Sequence, residues 1–185
     1  MIWAISAGQP DLMLRGRAAL EAGLDRLLIR EPCAPDGLLA LIADFPDRVV
    51  LHGCMENAAA IRAETGVGVH LSASAALQDW IGSSGAIGQS CHSLTAVRNA
   101  QLSGCSYVFL SPIWQAFSKP LDRRATLGPE ALLGANAVAL GGITVERSAL
   151  CRQHGAVGVA TMSGILFDPD PGAAVARWRA GWNGE

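Results

Sequence analysis

Four stretches of the chain repeat one pattern, in which the end of a helix-like segment meets a glycine and then a short apolar run. They are EAGLDRLLIR, AETGVGVHLS, LSGCSYVFLS and RQHGAVGVAT, with glycines at Gly23, Gly66, Gly104 and Gly155. Glycine just past the last turn is a common helix ending, because it adopts a positive φ without steric cost. The repeat therefore predicts helices that alternate with strands, which is the order of a parallel sheet.

The same template finds eight short strands along the chain. They are Ile2–Ser6, Arg26–Arg30, Arg48–His52, Val67–Leu71, Ala86–Ser90, Tyr107–Ser111, Ala137–Gly141 and Gly158–Met162. Helical patterns lie between and after them, at Pro10–Ala22, Asp36–Ala43, Met55–Glu64, Ala73–Ile81, Leu94–Ser103, Gly128–Leu133, Val145–His154 and Pro171–Trp182. Eight strand–helix units favour a closed barrel over an open sheet, so residues 1–185 are predicted to form a single, compact (β/α)8 TIM barrel of the α/β class.

Composition agrees with this fold and argues against several function classes. Half of the 185 residues are hydrophobic, 16% are charged and 21 are glycine. The formal net charge of −2 gives no reason to expect a nucleic-acid or membrane-surface partner. No apolar run is long enough to span a bilayer, and the first residues lack the pattern of a secretory signal, so we expect a cytoplasmic location.

The cysteines point to the same compartment. Their number is odd, and their spacing does not match a paired metal-ligand motif, so no metal-ligating residue is predicted from them. We interpret them as free thiols in a reducing environment. The five are Cys33, Cys54, Cys91, Cys105 and Cys151.

Polar residues stand where the predicted strands end. In a TIM barrel the carboxyl ends of the strands surround the catalytic site, so these side chains should meet in one mouth. Together they supply an arginine, three histidines and several hydroxyls, which is too polar a set for core filling. The positions are Arg30-Glu31, His52, His70, Ser90-Cys91-His92, Ser111-Pro112, Gly141-Gly142 and Met162-Ser163.

Three of these residues are candidates for catalysis. His52 titrates near neutral pH and can move a proton, or can simply hydrogen bond at the edge of a substrate. Arg30 is suited to an anionic ligand. Glu31 can pair with Arg30 or act as a base. For His70 and His92 a structural role is favoured.

Two loops rich in small residues follow the last two predicted strands. They contain Gly141-Gly142-Ile143-Thr144 and Met162-Ser163-Gly164. Small residues allow backbone N–H groups to converge on an anion, and a helix N-terminus behind each loop would add positive potential. The loops after strands 7 and 8 of a TIM barrel are the usual phosphate site. Tight turning alone is the alternative reason for such glycines, but two such loops side by side favour phosphate binding.

Six longer motifs extend these observations over nearly the whole chain. They are LLIRE, GVGVHLS, IGQSCHSLTAVRNAQLSGCSYVFLSPIW, SKP…LGPEAL, ALGGIT and HGAVGVATMSGI. Together they resemble the thiamine phosphate synthase and TenI-type thiazole tautomerase family, most strongly from Ile87 onward. The resemblance implies a barrel enzyme of thiamine (vitamin B1) biosynthesis or salvage.

The resemblance also implies where two anionic groups bind. The phosphate of a hydroxyethylthiazole phosphate would lie on the last two loops, at Gly141, Gly142, Met162 and Ser163. Ser90 matches a serine that in synthases helps to bind an aminopyrimidine diphosphate.

The thiazole ring is implied to lie on the loop after the sixth strand. It would rest against Ala116, Phe117 and Ser118, which match a hydroxyl-rich loop of the synthases. Lys119 matches a lysine that follows this loop, where it would close over the phosphate or remain solvated.

The chain departs from the synthases where magnesium would bind. By the resemblance, synthases have Asn-Asp after the third strand and a second aspartate after the fourth. This chain has His52-Gly53 at the first of these places and approximately Ala75 at the second. Mg²⁺ bound to a diphosphate prefers carboxylate oxygens. Mg²⁺ is therefore expected only if the chain acts as a synthase, and no residue is assigned to it.

Three functions remain open from the sequence. The first is a synthase-like transferase. The second is a thiazole tautomerase, because Arg30-Glu31, Gly53 and the final MSGI loop match those enzymes, although Pro112 replaces their catalytic histidine. The third is a non-catalytic regulator that binds thiazole phosphate. The expected partners are small phosphate esters, and a homo-oligomer is a further expectation from the family.

Overall fold

Eight parallel strands close into a barrel with the order β1-β2-β3-β4-β5-β6-β7-β8, and β8 pairs with β1. The computed structural model describes residues 1–82, 84–116 and 124–185. The strands are β1 Ile2–Ile5, β2 Arg26–Ile29, β3 Val49–His52, β4 Gly68–Leu71, β5 Ile87–Cys91, β6 Tyr107–Leu110, β7 Val138–Ala139 and β8 Gly158–Thr161. The TIM-barrel fold predicted from the repeats is confirmed.

Helices cover the outside of the barrel. The α-helices are α1 Leu12–Glu21, α2 Pro35–Asp44, α3 Ala58–Thr65, α4 Leu94–Leu102, α5 Val145–Gln153 and α6 Pro171–Asn183. In two connections the described residues form a short 3₁₀ helix and no α-helix, at Leu77–Trp80 and Pro129–Leu132. These trimmed connections explain how eight units fit into so short a chain.

Three predicted helices are corrected by the structure. The segment Ala73–Ile81 is helical only at Leu77–Trp80, because the serines of SASAAL favour turns over helix. The segment Gly128–Leu133 is likewise a single 3₁₀ turn. The third α-helix begins at Ala58 rather than Met55, since the preceding residues form turns that include a hydrogen bond from the Met55 N–H to the His52 carbonyl at 3.0 Å.

Local sequence explains where the helices begin and end. The side chains of Ser93, Thr144 and Asp170 accept hydrogen bonds from the backbone N–H three residues later, which caps α4, α5 and α6. Gly66 ends α3 in the left-handed region with φ 73°, as the repeat predicted. Each strand therefore starts soon after a defined helix end, and the polar ends of the strands point to the same rim.

Aromatic rings fill the middle of the barrel. Trp3 packs against Tyr107 and Phe109, with ring centroids 4.7 Å and 5.0 Å apart. Gly88 makes room for this layer, because a Cβ at Gly88 would lie 2.1 Å from the Tyr107 ring. Towards the carboxyl ends of the strands, the apolar interior extends to Ile5. A cavity opens at this end of the barrel, and apolar side chains close it from below. The other faces of the strands pack against the helices in a larger apolar cluster.

None of the helices in the described ranges combines the length and the apolar character needed to cross a membrane.

A buried arginine ties the amino-terminal end of the barrel together. Arg62 on α3 is only 1% exposed. Its guanidinium donates to the carbonyls of Val67 at 2.9 Å, Ala86 at 3.2 Å and Gly85 at 2.8 Å. One side chain thus satisfies carbonyl groups from two neighbouring connections, where an unpaired buried carbonyl would be costly.

Replacing this guanidinium should destabilise the barrel. Arg62→Met keeps most of the apolar stem but removes the donor to the Val67 and Gly85 carbonyls, whereas the Ala86 carbonyl still accepts from the Val69 N–H at 2.8 Å. We expect the free energy of unfolding to fall by about 3 kcal/mol. Urea denaturation followed by circular dichroism measures the change. Arg98→Met, on the exposed face of α4, is the control and should stay within about 0.5 kcal/mol of the parent. Equal losses in the two variants would show that the buried hydrogen bonds contribute nothing.

Candidate functional site

A cavity of about 310 Å³ opens at the carboxyl ends of the strands. We call it the mouth. Apolar side chains such as Ile5, Leu28 and Phe109 form its floor. Its polar lining consists of Arg30, His52, His70, Ser72, Ser90, His92, Ser111 and Arg124. The strand-end residues Arg30, His52, His70, Ser90, His92, Ser111 and Met162 thus meet in one cavity, as expected. The expectation is wrong for Glu31, which lines a separate groove, and for Gly141, Gly142 and Ser163, which line a neighbouring cavity.

His70 lies at the centre of a hydrogen-bonded chain that rises through the barrel. Its Nδ1 is 3.3 Å from the Tyr107 hydroxyl, and its Nε2 is 2.9 Å from the Ser90 hydroxyl. The side chain is 1% exposed, and burial, together with the nearby His52 and Arg30, lowers the pKa of His70 to about 3. The imidazole is therefore neutral at physiological pH.

The direction of this chain follows from Tyr107. Burial raises the pKa of the Tyr107 phenol, so it keeps its proton. Among the described residues its hydroxyl has one partner, the Nδ1 of His70, and the phenol is best satisfied by donating to it. His70 then carries its proton on Nε2 and donates to Ser90. The hydroxyl hydrogen of Ser90 is left to donate into the mouth, which suits a ligand that presents an acceptor.

His52 lies beside His70 with a different orientation. The two residues pair across β3 and β4, and their ring centroids are 6.0 Å apart. The Nδ1 of His52 accepts a hydrogen bond from the Cys54 N–H at 3.1 Å. Burial and then Arg30 lower the pKa of His52. The neutral ring therefore carries its hydrogen on Nε2, and this geometry suits hydrogen-bond donation to a ligand better than proton abstraction. A catalytic role of His52 stays a prediction.

Arg30 and Glu31 separate after β2. The Arg30 backbone N–H donates to the Ser6 hydroxyl at 2.8 Å, and its side chain lines the mouth. The Glu31 carboxylate accepts from the Ser6 hydroxyl and from the Gly8 N–H at 2.9 Å. Glu31 lines a separate groove of about 390 Å³ between the loops after β1 and β2. The structure thus gives Glu31 contacts that hold the β1 loop, and its predicted catalytic role is not tested.

His92 holds an arginine at the opposite rim. Its Nδ1 is 2.8 Å from the Ser111 carbonyl, which can only accept, so this nitrogen carries the hydrogen. The Nη1 of Arg124 lies 3.0 Å from Nε2 and 3.2 Å from Nδ1, so the guanidinium lies against the imidazole ring rather than on one nitrogen. Sequence reasoning did not single out Arg124 and favoured a structural role for His92. The contact depends on the fold, because 32 residues separate the two in the chain.

A second, smaller cavity of about 70 Å³ lies beside the mouth. We call it the cup. Loops after β6, β7 and β8 form it, and its lining is Ala116, Leu140, Gly141, Gly142, Ile143, Ala160, Thr161, Met162 and Ser163. Within the described ranges, the N–H groups of Gly142, Ile143 and Ser163 donate to no protein acceptor. Unpaired main-chain donors around a small space suit a compact anion.

Glycines permit the close packing that forms the cup. A Cβ at Gly141 would lie 2.9 Å from the Cα of Pro112, and one at Gly142 would lie 2.6 Å from the Gln115 carbonyl. Both glycines have positive φ, 94° and 61°. Arg147 on α5 fixes the loop from outside: it donates to the Gly142 carbonyl at 2.7 Å and stacks over the Trp114 ring at 5.0 Å.

The two loops of the cup differ in what stands behind them. Behind the β7 loop, α5 begins directly after its cap Thr144, as predicted. Behind the β8 loop there is no helix N-terminus, because residues 164–167 form turns and α6 begins only at Pro171. The hydroxyl of Thr161 accepts from the Gly164 N–H at 3.0 Å and shapes this loop instead. The predicted helix behind the second loop is therefore wrong.

The structure brings most of the predicted site residues to one end of the barrel. Three of them line the mouth alone and five line the cup, of which Met162 also lines the mouth, whereas Glu31 lies outside both. The predicted residues Phe117, Ser118 and Lys119 lie outside the described residues. The mouth residues are Arg30, His52 and Ser90, and the cup residues are Ala116, Gly141, Gly142, Met162 and Ser163.

Comparison with known proteins agrees with this geometry. The thiamine monophosphate synthase family model matches residues 15–165. The chain belongs to this family. Similar proteins include the thiamine-phosphate synthase of Chromobacterium violaceum, 38% identical over 125 residues that cover 63% of this chain and 60% of the relative. The thiamine-phosphate synthase of Xanthomonas campestris is 37% identical over 123 residues, which cover 62% of this chain and 59% of that protein.

Two further findings bear on the extent of this likeness. The chain spans about 60% of the length of these curated relatives. A solved structure, the thiamine phosphate pyrophosphorylase from Pyrococcus furiosus, superimposes with a TM-score of 0.80 at 20% identity and covers 99% of this chain and 95% of that chain. The structural likeness supports the fold, and the family membership rests on the sequence match.

Magnesium, which the family resemblance implies for a synthase, does not fit this mouth. Its lining in the described part of the chain contains no carboxylate. No group of three or more His, Cys, Asp or Glu side chains in these residues is placed to hold a metal ion. Gly53 stands where the resemblance implies an aspartate in the synthases. A Cβ at this position would lie 2.8 Å from the Leu71 side chain and 3.2 Å from the Trp80 side chain. Within the described lining, the carboxylate ligands that Mg²⁺ prefers are thus absent.

The neutral state of His70 predicts a specific dependence of stability on pH. The folded-state pKa of about 3 lies below the ordinary value of 6.5, so below pH 6.5 the unfolded chain takes up a proton that the folded chain does not. The free energy of unfolding should therefore decrease as pH falls from 6.5 towards 3, by about 2 kcal/mol at pH 5 from this group.

This dependence can be measured by urea denaturation at pH 7 and pH 5. His70→Gln lacks the titrating ring, so its loss of stability between the two pH values should be smaller than that of the parent by about 2 kcal/mol. His154→Gln, at the end of α5, is the control and should keep the parent's dependence. An unchanged loss in His70→Gln would contradict a neutral buried His70.

Proposed function

We propose that the chain is a thiamine-phosphate synthase-like enzyme that binds hydroxyethylthiazole phosphate with its phosphate in the cup. The observation that carries the proposal is the contact between the two cavities: Leu140 and Met162 line both the cup and the mouth. A ligand with an anionic end and a ring can therefore occupy the cup and reach the mouth. This arrangement fits a phosphate ester better than a free phosphate.

The cup supports the phosphate end of this substrate. Its volume of about 70 Å³ restricts it to a small group, and the N–H groups of Gly142, Ile143 and Ser163 are available as donors. The start of α5 adds a favourable potential on one side. Hydrogen bonds from several N–H groups to an ionised phosphate are stronger than bonds to a neutral group.

The mouth supports the second substrate, an aminopyrimidine diphosphate. In the proposed reaction the bond between the pyrimidine methylene carbon and the diphosphate oxygen breaks, and diphosphate leaves with the electron pair. The thiazole nitrogen then forms a bond to the resulting carbocation, which gives thiamine phosphate. Ser90 and His52 present donors to the mouth, and Arg30 offers a cation to the departing anion.

The location and assembly of the enzyme belong to the proposal as well. The five cysteines are all free, which is in keeping with a reducing cytoplasm. Small phosphate esters are the proposed partners. A homo-oligomeric state stays a prediction from the family.

A product assay tests the proposal directly. The purified chain, incubated with hydroxyethylthiazole phosphate and aminopyrimidine diphosphate, should form thiamine phosphate that is detected by chromatography after oxidation to a fluorescent thiochrome. Omission of either substrate should abolish the product. Isomerisation of a thiazole carboxylate phosphate without thiamine phosphate formation would overturn the proposal in favour of a tautomerase. Calorimetric binding of the thiazole ester without either reaction would favour a regulator.

The proposed phosphate position can be tested separately from turnover. Gly142→Ala places a methyl group 2.6 Å from the Gln115 carbonyl and 2.8 Å from the Trp114 Cβ, so the β7 loop must shift. We expect hydroxyethylthiazole phosphate to bind about tenfold more weakly in calorimetry, as for the loss of one or two charge-assisted hydrogen bonds.

A matched control isolates the effect of the cup from backbone strain. Gly134 has a similar positive φ of 69°, and its Cβ would have no neighbour within 4 Å. Gly134→Ala should therefore carry the same conformational cost but bind the thiazole phosphate as the parent does. Equal affinity in Gly142→Ala and Gly134→Ala would place the phosphate elsewhere.

A further inference from the structure

Two arginines face the mouth from opposite sides of the barrel. Arg30 directly follows β2, and Arg124 belongs to the connection after β6, four strands further around a closed barrel of eight. Both guanidinium groups line the same cavity of about 310 Å³. A ligand in the middle of this cavity therefore lies between two groups that are charged at any physiological pH.

Each arginine is held in place by the fold. Arg124 lies against the His92 ring, with its Nη1 3.0 Å from Nε2 and 3.2 Å from Nδ1, and His92 is fixed in turn through its Nδ1 by the Ser111 carbonyl. The backbone of Arg30 is held by the Ser6 hydroxyl, and its guanidinium lies 4.0 Å from the Met162 sulfur at the wall of the cup. Groups that are positioned before binding lose less entropy when a ligand arrives.

The nearest carboxylate does not neutralise Arg30. Glu31 accepts from Ser6 and Gly8, and it lines a different groove. In the described ranges no carboxylate forms an ion pair with Arg30. The guanidinium of Arg30 is thus available to an anion in the mouth.

The place where the family resemblance implies a metal-ligating carboxylate is filled by apolar atoms. Leu71 and Trp80 occupy the space that a side chain at Gly53 would need. A single substitution at position 53 would therefore not restore a magnesium ligand, because Leu71 and Trp80 fill the space that its side chain would need. The charged lining of the mouth in the described part of the chain consists of guanidinium groups, and guanidinium forks match phosphate oxygens through paired hydrogen bonds.

We infer that the mouth is a metal-independent anion site, in which Arg30 and Arg124 bind a diphosphate group that in the synthases would be held by Mg²⁺. The identity of this anion rests on the proposed function, whereas the site itself rests on the two arginines. His92 acts as a positioning residue, because it holds Arg124 and does not itself need to touch the anion.

Calorimetric titration with inorganic pyrophosphate tests this inference. The parent protein should bind pyrophosphate in buffer with EDTA, and replacing EDTA with Mg²⁺ should not tighten binding, because the metal competes with the guanidinium groups for the same oxygens. Arg124→Ala should weaken binding about tenfold, the effect of about one charge-assisted hydrogen bond pair. Arg124→Lys keeps the charge but loses the paired donors of the guanidinium. It should bind pyrophosphate with an affinity between those of the parent and Arg124→Ala.

Controls separate the mouth from the cup and from general charge effects. Arg98→Ala removes an exposed arginine from α4 and should leave pyrophosphate binding within about twofold of the parent. Hydroxyethylthiazole phosphate, which is proposed to bind in the cup, should bind Arg124→Ala as it binds the parent. Circular dichroism and the urea midpoint verify that each variant is folded.

The outcomes distinguish this inference from the proposed function. Pyrophosphate binding that needs Mg²⁺, no binding in either buffer, or equal binding by Arg124→Ala and the parent would each overturn the inference. Metal-independent binding that weakens in Arg124→Ala supports it, even if hydroxyethylthiazole phosphate fails to bind. Failure of the thiazole ester alone would instead count against the proposed function.

Discussion

Closure of a parallel sheet is the constraint on which the rest of this molecule depends. In a closed barrel every strand ends at the same rim, so residues that are far apart in the chain meet there. The aromatic layer of Trp3, Tyr107 and Phe109 fills the middle of the barrel and gives the rim a floor. Polar side chains at the strand ends can then be buried deeply, as His70 is, without losing their hydrogen bonds.

The two cavities at the rim are built by different means. The cup consists mainly of backbone, and it exists because Gly141 and Gly142 let the β7 loop pack on the loop after β6. The mouth consists of side chains whose hydrogen-bond directions are fixed by neighbours, through Tyr107, Cys54 and the Ser111 carbonyl. Main-chain donors suit a compact anion. Side chains are easier to replace, and this is the part of the site that departs from the family.

Charge in the mouth follows from these neighbours. Burial lowers the pKa of His70 and His52, so the two imidazoles are neutral donors, and in the described ranges the cationic side chains that line the mouth are Arg30 and Arg124. The lining of the mouth contains no carboxylate in the described residues, and two guanidinium groups there provide an environment that suits an anion. This lining differs from the carboxylates that the resemblance implies for a metal ion.

The sequence by itself determined the barrel, the strand ends and the glycine loops, because these features depend on local patterns. A repeated pattern of helix, glycine and apolar run is compatible with few arrangements other than alternating strands and helices. The match to the thiamine monophosphate synthase family covers residues 15–165. Short-range patterns failed where turn-forming serines interrupted the helix predicted over Ala73–Ile81, and where the predicted helix behind Met162-Ser163 gave way to turns.

Only the tertiary structure decided which polar residues face one another. The pairing of His92 with Arg124, the chain from Tyr107 through His70 to Ser90, and the turning of Glu31 towards Ser6 all join residues separated by 20 or more positions. Such contacts depend on the direction of each side chain at the rim and on the hydrogen bonds of its neighbours, and neither leaves a periodic signal in the chain.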